Sequence, residues 1–158
     1  MKKLLIVLLS WCVLAVPFAG AADLTITAAQ VEALTSTTTV SAKVQVGEAV
    51  TTGQGVYKKT SDGKYYLASN DVDAATATAA GISLCGAATN GYIVIVTAGE
   101  MDLGATLTPG RHYLVSATPG GIGLEADLAS TNYLTSWGVA VASDKFIVNI
   151  KVTGYQKP

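Results

Sequence analysis

The sequence predicts an all-β chain, a small barrel or sandwich built from two tandem four-strand repeats of about 50 residues behind an N-terminal arm. Three observations predict it. Gly81 to Gly99, GISLCGAATNGYIVIVTAG, joins two apolar β-runs through a polar, Gly-containing connection and reads as a buried hairpin. Gly138 to Gly154, GVAVASDKFIVNIKVTG, has the same plan: an opening Gly, an alternating small and apolar run, a short polar turn, an aromatic, a Val/Ile run and a closing Thr-Gly. The segments ahead of the hairpins also correspond, at a spacing of about 56 residues. A hairpin of this kind cannot bury its own apolar face, so two copies in one chain most simply pack on each other.

Residues 1–22 have the plan of a secretory signal. Lys2 and Lys3 precede an apolar run from Leu4 to Val16, and Ala19-Gly20-Ala21 supplies the small-residue cleavage form. A retained anchor and a lipoprotein signal are the competing readings. The apolar run is short for a membrane span, and the bulky Trp11 precedes Cys12 where lipoprotein processing needs a small residue. Cleavage would leave Cys85 as the one cysteine, so no intrachain disulfide is expected and stability must come from burial. The remaining length suits a single domain with a real core. Lys and Arg number 10 against 11 Asp and Glu, with no basic run, which argues against nucleic acid as a partner. A surface with so few charges keeps itself soluble poorly, so much of it is expected to be covered by other subunits.

Residues 23–46 read as a Thr-rich arm. Thr27-Ala28-Ala29-Gln30 has the capping-box pattern, with Val31 and Leu34 on one side of two helical turns ending near Thr35. Thr37 to Val46 is β-branched and reads as an extended arm pairing with another edge or as a first strand. The first repeat spans 47–103 and the second 104–158. Thr51-Thr52-Gly53-Gln54-Gly55-Val56-Tyr57 matches Leu107-Thr108-Pro109-Gly110-Arg111-His112-Tyr113. The turn Ser61-Asp62-Gly63 matches Thr118-Pro119-Gly120-Gly121, and each is followed by a strand, 64–69 and 122–126. Asp71 falls opposite Asp127, and Ala- and Thr-rich connections lead to Gly81 and Gly138. Asp62-Gly63 and Asn90-Gly91 should supply positive φ in tight turns, while Gly81 and Gly138 permit bulges or close backbone approach. Tyr57, Tyr66, Tyr92, Tyr113, Trp137 and Phe146 take strand positions where rings give the most buried area.

Few residues offer chemistry. His112 is the single histidine, which excludes a His-based metal cluster and leaves one candidate base; beside Tyr113 it reads as solvent-facing or as a subunit contact. Cys85 lies in an apolar run opposite Ala142 and reads as a small buried filler. Asn70-Asp71-Val72-Asp73 offers oxygens to Ca²⁺ but lacks the loop length and closing Glu of an EF-hand, so its carboxylates read as loop caps. Glu100 and Asp102, flanking Met101, are a carboxylate pair whose better reading is a solvated loop. With no G-x-S-x-G, no phosphate-cradling Gly loop and no CxxC, the expectation is no catalytic residue, no metal, no cofactor and no small-molecule substrate.

At the repeat the chain resembles the phage capsid decoration, or head-stabilisation, proteins, a family of small β-rich lattice-binding proteins. The similar parts are GEAVTTGQGVYKKTSDGKYYLAS, the Ala-Thr linker into AGISL, TAGEMDLGATLTPGRHYLVSATPGGI, and EADLASTNYLTSWGVAVASDKFIVNIKVTG, together covering about Val46 to Gly154. The resemblance implies a non-enzymatic homotrimer that binds the major capsid protein where subunits meet and fastens the shell, often through an N-terminal arm. Phage heads assemble in the cytoplasm, and an export signal departs from that. Either the start codon is placed too early, or the apolar N-terminus serves another purpose, or a bacterial protein uses this fold outside the cell. The expected location is accordingly the virion or the extracellular space, and a secreted adhesion or filament-forming module is the alternative function.

Overall fold

The structure, a computed structural model, describes residues 23–158; the signal-like segment 1–22 lies outside the described residues. The described chain is nearly all β, folded as a curled antiparallel half-barrel, with two single-turn 3-10 segments at Ala28–Gln30 and Glu125–Asp127. In chain order the strands are β1 (Val31–Ala33), β2 (Thr39–Val40), β3 (Val44–Gln45), β4 (Gly55–Lys58), β5 (Tyr65–Leu67) and β6 (Ala79–Ser83). They continue with β7 (Tyr92–Ile93), β8 (Ile95–Leu103), β9 (His112–Val115), β10 (Ile122–Leu124), β11 (Tyr133–Ala140) and β12 (Phe146–Gln156).

The main sheet runs β10-β9-β11-β12-β8-β6-β4-β5, with β1 and β2 added on β8, while β3 and β7 form a separate pair. Both sequence hairpins form. Ile82 and Ser83 of β6 face Val96 and Ile95 of β8, and Val139 and Ala140 of β11 face Ile147 and Phe146 of β12. In the first half of the chain β4 pairs β5 and β6, and β6 pairs β8; in the second half β9 pairs β10 and β11, and β11 pairs β12. The halves meet where β8 runs beside β12, Met101 facing Phe146 and Gly99 facing Val148.

Glycine makes the curl possible at two places. A Cβ on Gly138 would lie 1.9 Å from the Ile147 carbonyl oxygen, beside an irregularity in β11 between Ser136 and Gly138. A Cβ on Gly81 would lie 2.8 Å from the Val96 carbonyl oxygen, next to an irregularity in the β4–β6 pairing. Each extra residue bends its strand and increases the twist, so the sheet rolls up. Of the two Gly turns, Gly63 takes the left-handed conformation as expected, but in Asn90-Gly91 it is Asn90, at φ 65°, that does so. Asn tolerates that region better than other residues with a side chain, and here its side-chain oxygen accepts from Lys64 Nζ at 2.7 Å.

Inside the roll, Trp137, Tyr113, Phe146, Met101, Leu103 and Ile82 are fully buried and belong to one core. Tyr113 meets Phe146 edge-to-face at 5.9 Å. Burial of each large apolar side chain contributes roughly 2–3 kcal/mol. Trp137 of the second half lies over Gly55 of the first, where a Cβ would come within 2.2 Å of the indole ring. A smaller core of Val46, Val50, Val56, Ile93 and Ile95 lies beneath the β3–β7 pair. Loops tie the two ends of the sheet together. Gly55 N–H donates to the Gly120 carbonyl at 3.0 Å, Gly120 N–H to Ala68 at 2.7 Å, and Asn70 N–H to Ser116 at 3.1 Å.

Two expectations are corrected. The helix expected over Thr27–Thr35 is a single 3-10 turn followed by β1, and the Thr27 side chain makes no cap. Val31, Glu32 and Ala33 pair with Leu103, Asp102 and Met101, and Thr39 and Val40 with Ala98 and Val96. The edge of β8 satisfies this backbone in place of helical bonds, so tertiary pairing overrides a short local preference. Glu100 and Asp102 lie within β8, half-buried, in place of the expected solvated loop. Glu100 pairs with Lys145 at 3.3 Å, and Asp102 accepts from Gly104 N–H at 2.7 Å.

Candidate functional site

Each candidate side chain occupies a definite place. His112 opens β9 and is exposed, while its neighbour Tyr113 points into the core, the alternation of a strand with one buried face. Cys85 is half-buried beside the smaller core and not sealed inside it; its sulfur accepts weakly from Val94 N–H at 3.4 Å. Asp73 holds Thr76 N–H at 2.7 Å and is a loop cap. This hydrogen bond also holds the Asp73 carboxyl below its ordinary value. Asp71 is bonded to the Ser69 hydroxyl. Asn70 is fully buried, its side-chain Nδ2 donating to the Val115 carbonyl and its backbone carbonyl accepting from Tyr133 N–H, so it belongs to the packing rather than to the exposed loop. Among the described residues no three His, Cys, Asp or Glu side chains converge as a metal would require.

A cleft of about 470 Å³ is lined by Gly110, Arg111, His112, Leu124, Glu125, Ala126 and Lys157. It shares His112 and Glu125 with a second groove of about 300 Å³, whose remaining walls are Leu114, Leu134, Ser136, Lys151 and Thr153. The second groove crosses three neighbouring strands. His112 and Leu114 come from β9, Leu134 and Ser136 from β11, and Lys151 and Thr153 from β12. Lys157, on the first cleft, donates its ammonium to the Glu125 carbonyl at 3.0 Å and to the Leu128 carbonyl at 2.8 Å. Leu114 and Leu134 give the second groove an apolar floor, and the two clefts together carry three cations, Arg111, Lys151 and Lys157, against the single carboxylate of Glu125.

His112, Ser136 and Glu125 thus share a groove, the residue types of a hydrolytic triad, yet no hydrogen bond links them. Ser136 Oγ points to the Tyr113 carbonyl at 3.5 Å, away from the role of a nucleophile held by its base. The groove presents a shallow apolar surface beside positive charge. Nothing in the sequence marks Arg111, Lys151 and Lys157 as a set, because they are far apart and in no run. The alternation of Lys151 and Thr153 on a β-patterned segment is the one local hint that they share a face.

A second feature adjoins the groove. β12 pairs with β11 along its length but with β8 only from Phe146 to Asn149, so the other edge of Ile150–Gln156 has no partner strand among the described residues. Val152 and Tyr155 on this stretch are exposed, Tyr155 by 76%. No helix among the described residues is long and apolar enough to cross a membrane. No family model matches the chain, and no curated protein matches it.

Proposed function

We propose that this chain is a structural, non-catalytic β-module that decorates a phage capsid, binding the major capsid protein at subunit junctions as a homotrimer. The observation that carries the reading is the unsatisfied surface of the folded body: the open edge of β12 beside a half-apolar groove, with Val40, Val72, Tyr92, Val141, Ile147, Val152 and Tyr155 all exposed on a chain poor in charge. An open strand edge pairs readily with another chain, and exposed apolar patches mark interaction sites. Many modest contacts of this kind, repeated by the symmetry of a shell, add to firm attachment.

We read the two halves, 47–103 and 104–158, as copies of one unit; their matching strand pairings and the central β8–β12 junction support this. Residues 23–46, the proposed arm, lie against their own chain, β1 and β2 on β8 and β3 on β7, which favours the β12 edge for the attachment role. The secreted alternative, an adhesive or filament-forming module, is favoured by the signal-like residues 1–22, and the same β12 edge would then add to a neighbour's sheet.

Sedimentation with expanded, undecorated phage capsids tests the first reading. Co-sedimentation that saturates at a fixed ratio to capsid subunits supports it, and a chain left in the supernatant at all concentrations rejects it.

A further inference from the structure

The groove between β9, β11 and β12 calls for an occupant with an apolar tip and negative charge on both sides. Leu114, Leu134 and Lys151 line it, and the cleft that adjoins it through His112 and Glu125 adds Arg111 and Lys157, three cations against one carboxylate. Lys157 is partly spent on the Glu125 and Leu128 carbonyls. Arg111 and Lys151 are exposed and form no ion pair among the described residues, where Lys145 and Glu100 do.

The same chain displays such a tip. Val72 is 68% exposed, at the summit of a loop between Asp71 and Asp73, both exposed. Its base is fixed: Asn70 is buried and bonded to Ser116 and Tyr133 through the backbone, and Asp73 caps Thr76. A rigid tip loses little entropy on docking. Asp73 uses one carboxylate oxygen on Thr76, which leaves the other for a cation.

We propose that the groove of one copy receives the Asp71-Val72-Asp73 tip of a second copy, Val72 resting on Leu114 and Leu134 and the two carboxylates facing Arg111 and Lys151. Tip and groove are different surfaces, so the contact is heterologous, and repeated it closes a ring or extends a filament. Rim ion pairs and one valine make a weak contact, effective when several act together. The inference rests on the self-associating part of the proposed function and specifies its contact; it does not depend on what the assembly then binds.

The test is sedimentation velocity of the full chain over graded concentrations, without capsid. The wild-type chain should self-associate. Asp71→Lys/Asp73→Lys and Arg111→Glu/Lys151→Glu should each raise the dissociation constant by roughly tenfold or more. An equimolar mixture of the two should regain association in part, because the tip of each variant meets a groove of opposite charge on the other, at two of the three contacts of a three-membered ring and at every contact of an alternating filament. Val72→Ser, which alters no charge and no cap, should weaken association while leaving the β circular-dichroism spectrum unchanged. A monomeric wild-type chain overturns the contact, as do charge variants that associate like wild type, a mixture that fails to recover, or an unaffected Val72→Ser. A chain that is monomeric here yet sediments with capsids overturns this contact and leaves the decoration reading standing.

Discussion

The two long strands, β8 and β12, are treated in opposite ways. β8 is covered on both edges: at Val96, Ala98 and Met101 the N-terminal strands β1 and β2 take the side opposite the one shared by β6 and β12. β12 is covered on both edges only as far as Asn149, and its last seven residues keep one edge free. An uncovered edge is an aggregation hazard unless it is used or guarded. Gly154, left-handed at φ 72°, and the exposed Lys151 roughen the free edge and guard it against indiscriminate pairing. The chain therefore spends its own N-terminal segment on sealing β8 and leaves the end of β12 accessible.

Removing the seal should have the largest effect. Deletion of residues 23–43 strips Leu24, Ile26 and Val31 from the main core and bares the β8 edge. We expect a loss of roughly 3–5 kcal/mol in urea unfolding and concentration-dependent aggregation. Tyr155→Ser on the already open strand should change stability by less than about 0.5 kcal/mol. Equal losses from the two changes would break the contrast.

Gly138→Ala comes next. Its Cβ would strike the Ile147 carbonyl, which is backbone and cannot move without shifting the β11–β12 pairing, so a cost of roughly 2–4 kcal/mol is expected in the same unfolding assay. Gly63→Ala, at a turn where nothing lies within 4 Å, should cost only the roughly 1 kcal/mol of the left-handed conformation. A Gly138→Ala protein as stable as Gly63→Ala would mean that the bulge is not held as described.

The smallest effect is on pH dependence and belongs to the exposed turns of the first half. The Tyr66 hydroxyl and the Lys64 N–H hold the Asp62 carboxyl below its ordinary 3.8, as Thr76 does for Asp73. Carboxyls depressed by folding contribute stability that is present above 3.8 and is lost as the pH falls through their lowered folded values. The thermal midpoint should decline over that acid range, and Asp62→Asn/Asp73→Asn should flatten the decline. An unchanged slope would remove both side chains from the account.

Both hairpins were legible because their signals are local: alternating apolar residues, an opening Gly and an aromatic after the turn. The glycines were legible for the same reason, and Gly81 and Gly138 prove to be sites of close backbone approach. The N-terminal segment was not, since Thr27 to Gln30 obeys a helical rule and only the distant β8 edge overrides it. In Glu100-Met101-Asp102-Leu103 the alternation of a strand was present, with Met101 and Leu103 buried, but two acids so close together resembled a loop. The groove was illegible in principle. Its walls and those of the adjoining cleft come from positions 111, 134, 151 and 157, brought together by the β9-β11-β12 order and by Lys157 returning to the Glu125 turn.

Because β8 serves as a common rail for the N-terminal strands, β6 and β12, neither half of the polypeptide has a complete barrel wall of its own. A fragment ending at Leu103 would present the side of β8 where β12 belongs, and a fragment beginning at Gly104 would present the matching side of β12. Expressed as separate pieces, the two should recognise each other and melt in a single transition when mixed.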